Sequence, residues 1–441
     1  MSQYAPVTQV NQTASGAMSA PSPKTSAAQM RLLVLLVVAV FINYIDRANL
    51  SVSTAEIMKE LGLNYSQMGD LGAAFFFTYA FCQLLSGWLI DRFEVRLVLG
   101  VGFLIWSLAT AATGLANSFT LLILFRLLLG FGESVAYPAF SKIIAANYAE
   151  DQRGKANAFI DAGSKFGPAL GILIGGLVVA NLGWRSLFLI LGFGALAWLP
   201  FWLMWAPRTQ PQTAAQRKDI YVPSMLEILG KRSVWGTFFG LFGINYAWYF
   251  MVTWFPPYLI KARHFSTERM AVLGWLPFLM IGIAAMIAGW WADRLISQGG
   301  SPTKIRKRFL VTGMLANTLL LPAGMAESDL VSMTLFLIAC FAFGFTTANH
   351  WAVTQTMAGA AAAGKWTGMQ NAFGNLAGVI APKVTGMIVD QTGSFYWAFV
   401  AVAVIAFLGA LSFAFIIEEI KPIQWGKPLP GSTPEALSFT R

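Results

Sequence analysis

Residues 31–53 read RLLVLLVVAVFINYIDRANLSVS. From Leu32 to Ile45 no residue is charged, and then Asp46 and Arg47 stand side by side within the same apolar run. About twenty apolar residues in succession is the length at which an α-helix crosses the hydrocarbon core of a bilayer. A charge at the centre of such a helix costs about 2.5–3.5 kcal/mol on insertion scales, so Asp46 and Arg47 need a partner or a wet cavity.

The same pattern continues outward along the chain. Apolar blocks predict helices over 31–53, 68–90, 97–116, 119–146, 154–180, 185–205, 233–260, 269–295, 307–326, 329–357, 364–390 and 394–417. The blocks are continuous rather than short and alternating, which favours helices over a transmembrane β-barrel. The bulk numbers agree. Of 441 residues, 56% are hydrophobic and 11% charged, whereas a soluble domain carries about 25% charged residues. The expected fold class is therefore all-α: a polytopic membrane protein of twelve transmembrane helices in two six-helix lobes.

The polar segment 206–232, with Arg208, Arg217, Lys218, Lys231 and Arg232, separates a first lobe (31–205) from a second (233–418). Residues 1–30 are rich in Ser, Ala, Thr, Gln and Pro, and read as a disordered tail rather than a cleaved signal; 419–441 form a second tail. Basic residues fall mainly on one side of this topology. That side holds the linker, Arg92, Arg96, Arg153, Lys155, Arg294, Lys304, Arg306, Lys307, Arg308 and Lys365. The other side holds Lys59, Arg185, Lys261, Arg263 and Arg269. By the positive-inside rule both tails and the linker are cytoplasmic, in a multi-pass protein of a cell membrane. The net charge of +10 is then loop charge, and no nucleic-acid partner is expected. Cys82 and Cys340 sit apart in apolar blocks, with no disulfide framework or metal-ligand spacing.

The two halves echo each other. Gly87-Trp88-Leu89-Ile90-Asp91-Arg92 ends the second helix, and Gly289-Trp290-Trp291-Ala292-Asp293-Arg294 ends the eighth. Matching elements at matching places imply a duplicated six-helix unit. The first copy runs on to Arg96, and Gly87-x3-Asp91-Arg92-x3-Arg96 resembles the loop signature of the major facilitator superfamily, with Glu94 where that family usually has glycine. Asn43-Tyr44-Ile45-Asp46-Arg47-Ala48-Asn49, taken with Arg126 and Gly130-Phe131-Gly132-Glu133-Ser134, resembles the anion:cation symporters, which include permeases for hexonates, hexuronates, aldarates and tartrate.

The ionisable residues deep in the predicted spans are Asp46, Arg47, Arg126, Glu133, Asp161, Lys165, His350 and Lys383. Arg126 and Glu133 are seven apart and share a helix face. Asp46 and Arg126 are expected at similar depth and able to pair, with Glu133 two turns deeper. Burial and a nearby arginine pull a carboxylate's proton affinity in opposite directions, as a proton-coupling site requires. Glu133, Asp46 and Arg126 are the proton-coupling candidates; the bland alternative is a static ion-pair network. Arg47 is the candidate anchor for a substrate carboxylate, because a planar guanidinium fits one bidentately. The resemblance implies the same role; otherwise Arg47 merely balances Glu133.

Asp161 and Lys165, at i,i+4, either satisfy each other or leave Lys165 as a second anion contact beside the hydroxyl of Ser164. His350 is a packing residue or a minor proton site, and Lys383 has no assigned role. In the second lobe Asn245, Tyr246, Trp248, Tyr249, Asn349, Trp351, Gln355, Gln370, Asn371 and Asn375 supply amides and aromatic tips suited to hydroxyl groups. The resemblance implies a cavity role for Trp351 and Asn371; Asn375, Tyr44 and Tyr79 complete the candidate cavity. It also implies that Asp91, Arg92 and Arg96, with Asp293 and Arg294 in the second copy, latch the cytoplasmic side; otherwise they are solvated helix ends.

These readings converge on proton-coupled symport of a small organic anion, a sugar acid or related hydroxy acid, by a monomer working by alternating access without cofactor or metal. An aromatic carboxylate is the alternative substrate, and a non-transporting membrane sensor the alternative of another class. No nucleophile–base set or phosphate-binding glycine loop suggests an enzyme.

Overall fold

The computed structural model describes residues 26–148, 150–208 and 223–426, and every regular element among them is helical. Among the described residues, nine helices are long and apolar enough to cross a membrane. One of these, Ala156–Trp205, doubles back at Gly183. Two more, Tyr65–Arg92 and Arg232–Lys261, have 28 and 30 residues, about 42 Å or more of helix against a hydrocarbon core of about 30 Å. The spans number twelve among the described residues, as the sequence predicts. They are α1 (Ala27–Leu61), α2 (Tyr65–Arg92), α3 (Val95–Thr113), α4 (Phe119–Asn147), α5 (150–182), α6 (184–205), α7 (Arg232–Lys261), α8 (Thr267–Ser297), α9 (Pro302–Met325), α10 (Asp329–Gly359), α11 (Ala362–Thr392) and α12 (Tyr396–Ile416).

Two reversals take almost no chain. Gly183 (φ 78°) joins α5 to α6, and a Cβ on Gly175 would meet the Leu187 side chain at 3.6 Å. Residues 175 and 187 would lie about 18 Å apart on one straight helix, so the chain has turned. Gly359 (φ 61°) joins α10 to α11 in the same way: the Thr354 hydroxyl donates to Gln370 Oε1 at 2.6 Å across that turn. A positive φ is cheap only for glycine, so both turns depend on the residue present. α4 is interrupted just after Glu133, at Ser134–Val135, where the Ser134 and Ser86 hydroxyls meet at 2.9 Å.

The two halves repeat one pairing plan. α1 packs on α5 and α2 on α4; correspondingly α7 packs on α11 and α8 on α10. Between the halves, α2 meets α11 and α5 meets α8, the equivalent seams of a two-fold repeat. α2 and α7 are the long helices outside the strongly apolar set. Both give polar residues to the space between the halves: Gln83 from α2, Asn245 and Tyr249 from α7.

One end of the bundle carries residues 206–208 and 223–232, which flank the linker, and the described ends of both tails; it is called the linker end below. At the far end the halves touch: Ser51 of α1 donates to the Thr253 carbonyl of α7 at 2.9 Å, and Gly69 and Gly72 of α2 lie against Pro382 of α11. Near the linker end Gly364 and Gly368 of α11 face open space. The structure is closed at the far end and open at the linker end. The expected tail residues 1–25 and 427–441, linker residues 209–222 with Arg217 and Lys218, and the side chains of Arg153 and Lys155 lie outside the described residues.

Candidate substrate-binding site

Between the halves lies a cavity of about 710 Å³, reaching from mid-bundle toward the linker end. Its lining includes Tyr44, Arg47, Tyr79, Ser164, Lys165, Trp351, Asn371 and Asn375, so every residue expected to bind substrate comes together there. Phe76 and Tyr249 close it on the far side, with ring centroids 4.1 Å apart across the halves.

Arg47 sits at the deep end, 7% exposed. Its guanidinium lies 4.5 Å from the Tyr44 ring, 4.9 Å from Tyr79 and 5.3 Å from Phe75. Each such contact is worth about 0.5–1 kcal/mol at an exposed site and about 2 kcal/mol where water is excluded. Nη2 donates to Glu133 Oε2 and to Asn43 Oδ1, both at 3.3 Å, while Nε has no partner. Glu133 is fully buried behind Arg47, and its Oε1 is unpartnered. The expected substrate anchor and the expected proton carrier are thus one ion pair, and both readings of Arg47 apply to the same contact. Glu133 reaches it because Gly130, one turn earlier, lets α4 approach α2: a Cβ there would run into the Phe75 carbonyl and the Thr78 hydroxyl. Thr78 seals the approach by donating to the Leu127 carbonyl at 2.9 Å.

The expected pairing of Asp46 with Arg126 does not form. Asp46 Oδ1 accepts from Asn49 at 3.0 Å, and Arg126 Nε donates to the Leu71 carbonyl at 3.2 Å. Successive residues on a helix point about 100° apart, so Asp46 turns away from the cavity while Arg47 faces it. Arg126 and Glu133 both remain within electrostatic reach of Asp46. Arg126 and Arg47 border a void of about 10 Å³, one water in size, on the far side of the cavity floor.

Lys165 and Asp161 pair at 3.5 Å, and Lys165 also lies 5.5 Å from the Trp248 ring. Asp161 is not buried: its side chain is 54% exposed to the open cavity. Ser164 spends its hydroxyl on the Asp161 carbonyl at 2.7 Å. Asn375 accepts from the Tyr249 hydroxyl at 2.7 Å, and Asn371 donates across the halves to Gln83 Oε1 at 3.3 Å. His350 is buried against Trp351, with Nδ1 at the Thr346 carbonyl and Nε2 unpartnered. Lys383 is not buried: it pairs with Asp70 at the far end, 38% exposed.

Several lining residues escaped the sequence reading, Gln83 and Tyr137 foremost. Gln83 is four residues after Tyr79, and Tyr137, which donates to the Tyr44 hydroxyl at 3.1 Å, is four after Glu133. The i,i+4 spacing put each on the face of a residue already chosen. Of the expected latch, the Asp91 side chain lies outside the described residues and Arg92 is exposed. Arg96 pairs with Glu94 at 3.3 Å and donates to the Leu203 carbonyl, so the residue replacing the usual glycine gives Arg96 a local partner. Asp293 pairs with Arg306 at 2.9 Å, and Arg294 lies over Trp290. With the linker end open, these contacts stay within their own halves.

The sequence profile of the Major Facilitator Superfamily matches residues 36–303 and 278–438. The chain belongs to that superfamily. It is a multi-pass membrane transporter rather than an enzyme. Among curated proteins it is 28% identical to the probable L-galactonate transporter of Escherichia coli, over 90% of this chain and 91% of that one. It is 29% identical to the hexuronate transporter of Bacillus subtilis, over 93% and 99%. Among solved structures it matches an inward-facing, unoccupied bacterial homolog of the human lysosomal transporter Spinster, with a TM-score of 0.71, 18% identity and coverage of 89% and 95%. That last likeness concerns the fold alone.

Proposed function

We propose that this superfamily member carries a hydroxylated sugar acid together with protons, through alternating access, as a monomer in a bacterial inner membrane with both termini cytoplasmic. The observation that carries the reading is the Arg47–Glu133 pair at the deep end of the cavity. Arg47 is the cation that can take a carboxylate there, and it is already held by one. Protonating Glu133 removes that competitor, and a substrate carboxylate then takes its place on the guanidinium. Loss of the proton restores the ion pair and expels the substrate. Proton and anion therefore bind together and leave together, which is symport in chemical terms. Asp46 and Arg126, each held by other partners, lie within electrostatic reach of this pair and gate or share the proton. Gln83, Asn371, Asn375, Tyr137 and Tyr249 offer amide and phenol groups to substrate hydroxyls, while Trp248, Trp351 and the Tyr44 ring pack the carbon chain.

The named relatives transport sugar acids, which supports a hydroxylated substrate over an aromatic one. On this reading the linker end is cytoplasmic and the structure is inward-open. Asp91, Arg92, Arg96, Asp293 and Arg294 then close the linker end in the opposite state. The test is uptake by proteoliposomes with an imposed pH gradient, using a panel of labelled hexonates, hexuronates, aldarates and aromatic acids. Accumulation of a sugar acid that collapses when the gradient is dissipated is expected. Accumulation of aromatic acids alone, or uptake indifferent to the gradient, would overturn the reading.

A further inference from the structure

The far end is shut by two kinds of contact. The first is apolar and backbone-tight: Pro382 of α11 lies against the glycine face of α2 at Gly69 and Gly72, and Ala271 of α8 lies against Gly176 of α5. The second is polar, and most of it gathers at one seam. The Asp390 carboxylate of α11 accepts the Tyr65 N–H at 2.9 Å and the Ser66 N–H at 2.6 Å, two of the first-turn donors of α2. The helix's own cap, Asn64, takes the Gln67 N–H at 2.8 Å. Three of the N–H groups that a helix start leaves unpaired are thereby satisfied, two of them by the other half of the molecule. Two turns along α11, Lys383 pairs with Asp70 of α2. At the equivalent α5–α8 seam, no cross-half ion pair is found among the described residues.

The geometry points to a one-sided electrostatic latch: Asp390 on the α2 N-terminus and Lys383 on Asp70 hold the far gate closed and must release for it to open. None of these groups is buried. Asp390 is exposed, and the Lys383 and Asp70 side chains are 38% and 34% exposed. When the halves part, each charge returns to solvent rather than to a buried site, so the latch releases at small cost. A carboxylate at a helix start and an exposed ion pair each shift such an equilibrium by about two- to five-fold. That bias is small enough to be reversed in every cycle. It falls on the α2–α11 seam, which therefore governs opening.

The test uses purified detergent-solubilised protein, so it depends neither on the substrate nor on membrane orientation. Val252, 4% exposed in the far seam, becomes the reporter as Val252→Cys, with Cys82→Ala removing the half-buried native thiol. Cys340, 1% exposed in the core of the second half, stays as the internal control. Asp390→Asn keeps shape and Lys383→Gln keeps bulk. Each should raise the thiol-labelling rate of residue 252 about two- to five-fold, and the double variant about ten-fold if the two contacts act independently. Cys340 should stay unreactive throughout. The charge swap Asp70→Lys with Lys383→Asp should return labelling to within about two-fold of the starting protein. Unchanged labelling at 252, a parallel rise at Cys340, or a swap that labels as fast as Lys383→Gln would each refute the latch.

Discussion

Glu133→Gln is the substitution that most directly tests the coupling chemistry. Arg47 Nη2 and Glu133 Oε2 are 3.3 Å apart, and both side chains are almost wholly buried. At an effective dielectric of about 20, two unit charges at that separation attract by about 5 kcal/mol. A substrate carboxylate seeking Arg47 while Glu133 is charged must displace that attraction, a handicap of between about three and four orders of magnitude in affinity. Glutamine keeps the carboxylate's size and can still accept from Arg47, but it carries no charge and no exchangeable coupling proton. Binding measured by calorimetry or fluorescence should therefore become independent of pH in the variant. In the wild-type protein it should weaken as pH rises and Glu133 ionises. Exchange of labelled for unlabelled substrate should persist in Glu133→Gln proteoliposomes, since neither direction needs a proton. Net accumulation should vanish. A gradient of one pH unit stores about 1.4 kcal/mol per proton, about ten-fold accumulation in the wild type for one proton carried. In the variant the inside-to-outside ratio should fall to about one. If Glu133→Gln still concentrates substrate in step with the pH gradient, Glu133 is not the coupling group, and Asp46 and His350 follow as candidates.

Arg47→Lys keeps the charge but loses the planar fork among Tyr44, Tyr79 and Phe75. Losing one charge-assisted hydrogen bond costs about 1.5–3 kcal/mol, so KM should rise about ten- to a hundred-fold, and an unchanged KM would remove Arg47 from the site. Tyr137→Phe deletes the hydrogen bond to the Tyr44 hydroxyl and should raise KM by a few-fold with the coupling ratio intact; a lost ratio would place Tyr137 in the proton path. Gly130→Val should drive α2 from α4, lowering thermal stability by about 1–3 kcal/mol and separating Glu133 from Arg47; a fluorescence melt at the wild-type temperature would contradict the close approach. Single cysteines at Gln212 and Gln298, in Cys82→Ala protein, should resist an impermeant thiol reagent in intact cells, and strong labelling would invert the assigned orientation.

Much of this molecule could be read from its residues in order. Twelve helices follow from apolar runs of spanning length, because a bilayer forces every backbone N–H and C=O to pair within its own segment. The repeated plan follows from Gly87–Arg92 and Gly289–Arg294, and the list of cavity residues follows partly from the cost of polar groups in hydrocarbon and partly, for Trp351 and Asn371, from the family resemblance. Spacing along one helix also held Gln83 and Tyr137, each one turn from a chosen residue. Partnership between helices was another matter. Asp46 and Arg126 suited each other in depth, yet the 100° step between Asp46 and Arg47 gives Glu133 to the arginine instead. Lys383 stands in an apolar stretch but is only half-buried, and its partner is Asp70 of another helix. The sequence carries depth and helix face, which are local properties of one segment. Which charge meets which, and which end of the bundle stands closed, depends on helix rotation and on the angle between the two halves, and only the packed tertiary structure sets those.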